Sequence, residues 1–193
     1  MTKSRLEAFS DGVLAIIITI MVLELKIPHG SQFGDLAPLL PVFICYLMSF
    51  VFVGIYWGNH HHLMHTVQHV NSKIIWANMG LLFFLSLIPF STGWMGENHF
   101  DEVPVAIYAV NLLLCAIAYF ILQLVIASDV AQNTRLTEAL HKQQKKGKIT
   151  LAINLVSIPC AFYYPLVSAA LFIVISILWI IPDRNIEKAL KDL

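Results

Sequence analysis

Long apolar stretches, separated by short polar segments, dominate the chain. A bilayer core about 30 Å thick is crossed by about 20 apolar residues in an α-helix. Six stretches approach that length and predict transmembrane helices, at residues 8–26, 36–58, 75–95, 104–128, 148–164 and 165–182. We therefore predict an all-α integral membrane protein in which residues 1–193 form a single six-helix transmembrane domain.

Prolines add local detail to these predicted helices. Pro38 and Pro41 suit the first turn of the second helix, because the backbone N–H groups there have no helical partner. Pro89 predicts a local kink late in the third helix, and Pro159 predicts a kink inside the fifth. The fifth and sixth helices are separated by residues 163–165 alone, which predicts a tight hairpin between antiparallel helices.

Lysine and arginine are distributed asymmetrically along the chain, and this asymmetry predicts its orientation. These residues concentrate on the cytoplasmic side of membrane proteins. If the N-terminus is cytoplasmic, eleven of the twelve fall in inner segments and Lys26 alone falls outside. We therefore expect both termini in the cytoplasm and a multi-pass protein of the cell membrane.

The overall composition disfavours several other classes of protein. Of the 193 residues, 58% are hydrophobic and 12% are charged, whereas soluble domains average about 25% charged residues. No basic stripe with interleaved aromatic residues points to nucleic acid. No GxSxG, HExxH or P-loop motif is present, so we do not expect an enzyme. The three cysteines lie far apart in apolar runs, which favours packing between helices over a disulfide framework.

The polar segments between and after the helices are short. Residues 129–148 form the longest predicted inner loop, expected to be helical at its start, and residues 183–193 are typical of a short amphipathic surface helix. Neither is long enough for a soluble catalytic domain. The first apolar run has acidic residues at both ends and no small-residue cleavage site, so we expect it to remain as a helix rather than act as a signal peptide.

The first helix has two different surfaces when residues are placed at about 100° intervals. One surface, the first-helix stripe, spans an arc of about 80° and consists of Gly12, Ile16, Thr19, Ile20 and Leu23. Asp11 lies well away from the stripe, and Glu7 lies nearly opposite it. The stripe is compatible with packing on a neighbouring helix or with contact to lipid. An ionisable residue at the membrane, such as Asp11, is a candidate for function, although it could also stabilise the positive end of the helix dipole. In either case we expect Asp11 to face other helices of its own subunit.

Five of the eight histidines cluster at the inner end of the second helix, at His60, His61, His62, His65 and His69. Three of them repeat at intervals of four residues, which leaves open a metal site, a pH-sensing role or simple solvation. No Cys, Asp or Glu lies within this stretch, which disfavours a metal site. The narrower hypothesis is that His60 or His61 pairs with Asp11 and Arg5.

The third predicted helix begins with two side chains that could donate hydrogen bonds to Asp11 or a nearby hydroxyl. Asn78 has two amide donors and Trp76 has one indole donor, both apt for a nearby carboxylate or hydroxyl. Trp76 and Trp94 could instead belong to aromatic belts at the two membrane interfaces.

These residues resemble a known family. Arg5, Phe9, Ser10 and Asp11 form the pattern RxxxFSD, and YWGNHH at 56–61, WAN at 76–78 and LIPF at 87–90 follow in order. The pattern is similar to that of the endosomal and lysosomal transmembrane potassium channel family, in its short bacterial form.

The resemblance implies a potassium-selective, leak-type channel assembled as a homotetramer in the bilayer, with a central pore lined by the first helix of each subunit. The pore residues would be Ile16, Thr19, Ile20 and Leu23, with Ile16 as a narrow hydrophobic ring and potassium as the permeant ion, without other cofactors. The sequence contains no TVGYG filter. A structural polar network would orient the first helix, formed by Arg5, Phe9, Ser10, Asp11, His60, His61, Trp76 and Asn78.

Two other functions remain as alternatives. A secondary transporter or proton-conducting protein would need charged residues or broken helices near the membrane centre, whereas the deep polar residues of this chain are uncharged. A histidine-based metal-binding membrane protein is the second.

Overall fold

The computed structural model describes residues 1–129 and 134–180, and within those ranges every regular element is helical. Seven α-helices are present there: α1 Lys3–Met21, α2 Leu40–His65, α3 Ser72–Leu85, α4 Ile88–Glu97, α5 Glu102–Asp129, α6 Thr134–Tyr163 and α7 Pro165–Ile180. Two 3₁₀ segments, Val22–Glu24 and Phe33–Leu39, extend α1 at its end and precede α2.

The predicted all-α fold is confirmed over the described residues. Four helical segments are long and apolar enough to cross a membrane: Lys3–Glu24, Phe33–His65, Ser72–Glu97 and Glu102–Asp129. They coincide with the first four predicted spans. The fifth predicted span occupies the second half of α6, and the sixth occupies α7, a shorter apolar helix. Tyr164 alone separates α6 from α7, as the predicted hairpin requires.

The third span is broken into two helices rather than kinked. Pro89 lacks the N–H that would bond to the carbonyl of Leu85, so the helix cannot continue unchanged through this point. The Ser86 hydroxyl donates to the carbonyl of Phe83 at 2.7 Å, and the N–H of Leu87 donates to that of Phe84. The chain therefore ends α3 at Leu85 and begins α4 at Ile88 with Pro89 in its first turn.

The segment at 129–148, predicted as a long inner loop that is helical at its start, is helical throughout its described part. From Thr134 onward the segment is continuous with the fifth span, and together they form α6. Hydrophobic length alone placed the boundary near Lys148, but the polar half of α6 buries Gln143, Gln144 and Gly147 against the rest of the protein. Pro159 lies inside α6 without ending it. The predicted surface helix at 183–193 lies outside the described residues.

Helix α5 is the centre of the fold and contacts α3, α4, α6 and α7. Its completely buried side chains include Tyr108 and Cys115. Helix α1 contacts α2, α3 and α4 through one face, on which Leu6, Leu14 and Met21 are buried. Because lipid tails are as apolar as leucine, such contacts stabilise the helices chiefly through close packing and hydrogen bonds.

A buried polar cluster joins the broken span to its neighbours. The Thr92 hydroxyl on α4 donates to Ser49 Oγ on α2 at 2.7 Å, and Ser49 Oγ lies 2.9 Å from the Tyr108 hydroxyl on α5. Nearby, Asn111 Nδ2 on α5 donates to Ser91 Oγ on α4 at 3.1 Å. These hydrogen bonds attach α4 to two long helices on either side and so hold the short helix in place.

Candidate functional site

The first-helix stripe lies on the exposed surface of the protomer. Ile16 is 57% exposed and Leu23 is 76% exposed, and Gly12, Thr19 and Ile20 are exposed with them. A Cβ added to Gly12 would meet no atom within 4 Å, so this face is open around it. The opposite face of α1 is buried among α2, α3 and α4. The helix therefore presents an apolar surface that its own subunit does not cover.

Thr19 is the one hydroxyl within the stripe. Its Oγ1 donates to the carbonyl of Ile16 at 2.9 Å, one turn earlier in the same helix. That bond uses the hydroxyl hydrogen and leaves the oxygen lone pairs available as acceptors. Thr19 can thus present an acceptor oxygen beside apolar neighbours on the exposed face.

A buried hydrogen-bonded cluster connects α1, α2 and α3. Asn78 Nδ2 donates to Ser10 Oγ at 2.9 Å, and Asn78 Oδ1 lies 2.7 Å from His60 Nε2. Ser10 and Asn78 are completely buried, and His60 is nearly so. Because an amide oxygen accepts and cannot donate, the short contact requires the proton of neutral His60 to reside on Nε2. We call this group the Ser10–Asn78–His60 cluster.

Asp11 faces α2 of its own protomer. Trp57 Nε1 donates to Asp11 Oδ1 at 3.0 Å. The Trp57 ring stacks on His61 with an interplanar angle of 27°, and His61 meets His65 edge to face at a centroid distance of 4.5 Å. The carboxylate is thereby held to one side of α1, away from the stripe.

Four residues proposed for the polar network lie elsewhere or act differently. Arg5 and Phe9 are exposed, and Trp76 is 76% exposed. Phe9 has no polar side-chain atom, and neither Arg5 nor Trp76 takes part in the Ser10–Asn78–His60 cluster or in the bond to Asp11. His61 contacts Trp57 by stacking and not Asp11 by hydrogen bonding.

The sequence analysis proposed Trp76 as a donor in the polar network, whereas in the structure Trp57 donates to Asp11. Residues two positions apart in a helix point about 200° apart, so Trp76 cannot share the face on which Asn78 meets α1. Applied to the third helix, that spacing would have separated Trp76 from Asn78. Trp57, three residues before His60, lies on the side of α2 that reaches α1.

Two further findings concern ionisable groups near this end of α1. One carboxylate oxygen of Glu7, Oε1, is buried without a hydrogen-bond partner among the residues that the structure describes. Throughout the residues that the structure describes, no three side chains of His, Cys, Asp or Glu converge as ligands of a metal ion.

Comparisons with known proteins agree on one family. The family model described as the endosomal/lysosomal potassium channel TMEM175 matches residues 5–89. A Chryseobacterium sp. (strain P1-3) protein named as a potassium channel is 52% identical over 192 residues, with 100% of both chains covered. The human protein named endosomal/lysosomal proton channel TMEM175 is 36% identical over 99 residues, which are 45% of this chain and 19% of the human one.

A solved structure supports the same assignment. The crystal structure of a lysosomal potassium-selective channel TMEM175 homolog from Chamaesiphon minutus matches with a TM-score of 0.78 at 26% identity. The match covers 94% of this chain and 97% of that one. The fold and its apolar helices thus define a membrane protein of the ion-channel class, which is not a class of enzymes. The chain belongs to the TMEM175 family of potassium channels.

Proposed function

We propose that this chain forms a potassium-selective, leak-type channel of the cell membrane, assembled as a homotetramer around a central pore lined by the first-helix stripe. The observation that carries the proposal is the exposure of Ile16, Ile20 and Leu23 on a helix whose other face is buried in its own subunit. Membership of a potassium channel family supports the same conclusion.

The chemistry of the stripe suits a pore without carbonyl ligands. Four copies of Ile16 would form an apolar ring, and such a constriction gates by dewetting while its diameter selects among partly hydrated ions. The Thr19 oxygens, one turn further along, would offer acceptors to a cation whose hydration shell is partly removed. No charged side chain belongs to the stripe.

The polar contacts of Ser10 and Asp11 would fix the rotation of α1 about its axis. The Ser10–Asn78–His60 cluster joins α1 to α2 and α3, and the Asp11–Trp57 bond adds a second attachment to α2. A helix attached at two points cannot turn without breaking buried hydrogen bonds. Each subunit would therefore present the same apolar residues to the symmetry axis.

The pore assignment is tested by reconstituting the full chain in planar bilayers under opposing potassium and sodium gradients. We expect Ile16→Asn to raise the conductance and to lower the selectivity for potassium, because it replaces the apolar ring by amides that hydrate the constriction. Ile173→Asn is the matched control: Ile173 on α7 has a similar exposure, 53%, but lies outside the stripe. Unchanged currents and reversal potentials in Ile16→Asn would reject the pore assignment.

The oligomeric state needs its own measurement. Native mass spectrometry of the purified protein should give four times the 21.7 kDa chain mass. A monomer that still carries potassium current would contradict a pore built from four copies of α1.

Proton conduction is the second candidate, because the animal relatives are named proton channels. In the same bilayers, a reversal potential that follows the pH gradient rather than the potassium gradient would favour it. Transport with a fixed ion stoichiometry would instead indicate a secondary transporter.

A further inference from the structure

Three lysines lie on one exposed face of α6. Lys142, Lys145 and Lys148 are spaced three residues apart and are all exposed. This spacing places them on neighbouring positions along one side of the helix. Lys146, which is partly buried, lies at the edge of the same side. We call Lys142, Lys145 and Lys148 the lysine face.

The lysine face continues directly into an exposed apolar surface. Ile149, Leu155 and Val156 are 52%, 62% and 54% exposed, and Ala152 between them is exposed as well. At 100° per residue, these four and the lysine face fit within an arc of about 140°. One side of α6 therefore changes from cationic to apolar within a single turn.

The rotation of this part of α6 is set by its opposite side. Gln143 Nε2 donates to the Tyr119 hydroxyl at 3.4 Å, and Trp179 Nε1 donates to Thr150 Oγ1 at 2.7 Å. A Cβ added to Gly147 would lie 3.3 Å from the Phe120 ring, so α6 approaches α5 closely here. The lysine face consequently points away from the protein in a fixed direction.

Carboxylates are scarce around these lysines. Glu138 is exposed on the same side of α6, one turn beyond Lys142 and further from the apolar half. Within the described ranges, the ion pair that the structure contains joins Lys26 to Glu97, at a different part of the fold. Glu138 is thus a neighbour of Lys142 alone, and Lys145 and Lys148 present positive charge without an ion-pair partner among the described residues.

We propose that this side of α6 binds an anionic phospholipid. Its phosphate lies between Lys145 and Lys148, and one acyl chain lies along Leu155 and Val156. The order of the two surfaces matches the order of the two parts of a lipid, and basic residues next to a membrane helix attract anionic headgroups. A free phosphate would match the lysines but would leave the apolar surface unused.

The proposal is tested by native mass spectrometry of the full-length protein titrated with phosphatidylglycerol or phosphatidylcholine. The wild type should bind phosphatidylglycerol more tightly. Since a lysine near an anionic surface contributes about fivefold to affinity, Lys145→Gln/Lys148→Gln should weaken phosphatidylglycerol binding by at least about tenfold. Binding of phosphatidylcholine should stay unchanged, and Lys145→Arg/Lys148→Arg should remain within about twofold of the wild type because both charges persist.

Two single substitutions distinguish loss of the proposed site from a general effect of lowering the net positive charge. Lys148→Gln should weaken phosphatidylglycerol binding by about fivefold, whereas Lys73→Gln, which removes an exposed lysine from α3, should change it by less than about twofold. These single variants also replace the double variant if the latter is not recovered folded.

Three results would overturn the proposal. The first is equal affinity of the wild type for the two lipids, and the second is an equal loss in Lys73→Gln and Lys148→Gln. The third is complete displacement of the lipid by soluble glycerol 3-phosphate at millimolar concentration, which would identify the site as one for free phosphate.

Discussion

The Ser10 hydroxyl on α1 and the Asn78 amide on α3 lie 2.9 Å apart in a completely buried hydrogen bond. The two residues are 68 positions apart in the sequence, and Asn78 also lies 2.7 Å from His60 Nε2 on α2. One amide side chain therefore joins three helices. Its removal leaves His60 Nε2 without this partner, whereas the Ser10 hydroxyl keeps its bond to the carbonyl of Leu6.

Asn78→Ala should lower the free energy of unfolding by about 1–3 kcal/mol, because it orphans the buried His60 N–H and an orphaned buried polar group costs about that much. Thermal unfolding of the purified protein in detergent measures this loss. Asn59→Ala is the matched control, since the Asn59 amide bonds to Ile55 of its own helix and, among the described residues, its side chain hydrogen-bonds to no other element. Equal losses in the two variants would contradict a special role for Asn78.

Trp57→Phe should weaken the attachment of α1 to α2, because it removes the N–H that reaches Asp11 while retaining an aromatic side chain. A hydrogen bond to a charged group contributes about 1.5–3 kcal/mol, and exposure of Asp11 reduces this to about 1 kcal/mol. Trp76→Phe should leave the melting temperature unchanged. A larger loss in Trp76→Phe would show that Trp76, and not Trp57, is the partner of Asp11 in the assembled protein.

Ser49→Ala should be more damaging than Tyr108→Phe. Ser49 Oγ contacts both Thr92 and Tyr108, so its removal leaves two buried hydroxyls unpaired, whereas removal of the Tyr108 hydroxyl leaves the Ser49–Thr92 bond intact. We expect losses of about 2–3 and about 1 kcal/mol, measured by thermal unfolding. Ser128→Ala, at an exposed hydroxyl that bonds within its own helix, should have little effect. The reverse order of the two losses would be inconsistent with this cluster.

Gln123→Leu should raise the melting temperature. Gln123 is completely buried on α5 near the Tyr119 hydroxyl, and neither its Nε2 nor its Oε1 makes a hydrogen bond of good geometry among the described residues. Leucine fills a similar volume and removes the cost of about 1–3 kcal/mol for unpaired polar atoms. Gln68→Leu, at an exposed position, is the control. A lower melting temperature in Gln123→Leu would indicate that the amide has partners in the membrane.

The first four spans and the apolar side of α1 followed from patterns within single segments. Apolar length determined the first four spans, because a helix must present about 20 apolar residues to a bilayer. The 3.6-residue period placed Ile16, Thr19 and Leu23 on one side of α1 and Asp11 on another. Both properties depend on residues close together in the chain, and sequence reasoning reached them without the fold.

Contacts between helices could not be predicted from patterns within single segments. Hydropathy ended the fifth span near Lys148, yet the burial of Gln143 and Gly147 against α5 continues α6 back to Thr134. The pairing of Asp11 with Trp57, rather than Trp76, depends on the rotation of α2 and α3 about their axes. That rotation results from the packing of all neighbouring helices together, as does the assembly of Ser10, Asn78 and His60. The sequence by itself therefore determined the first four membrane spans and which side of α1 is apolar. The tertiary structure decided where α6 begins and which side chains meet, because close packing between helices selects a single rotation for each.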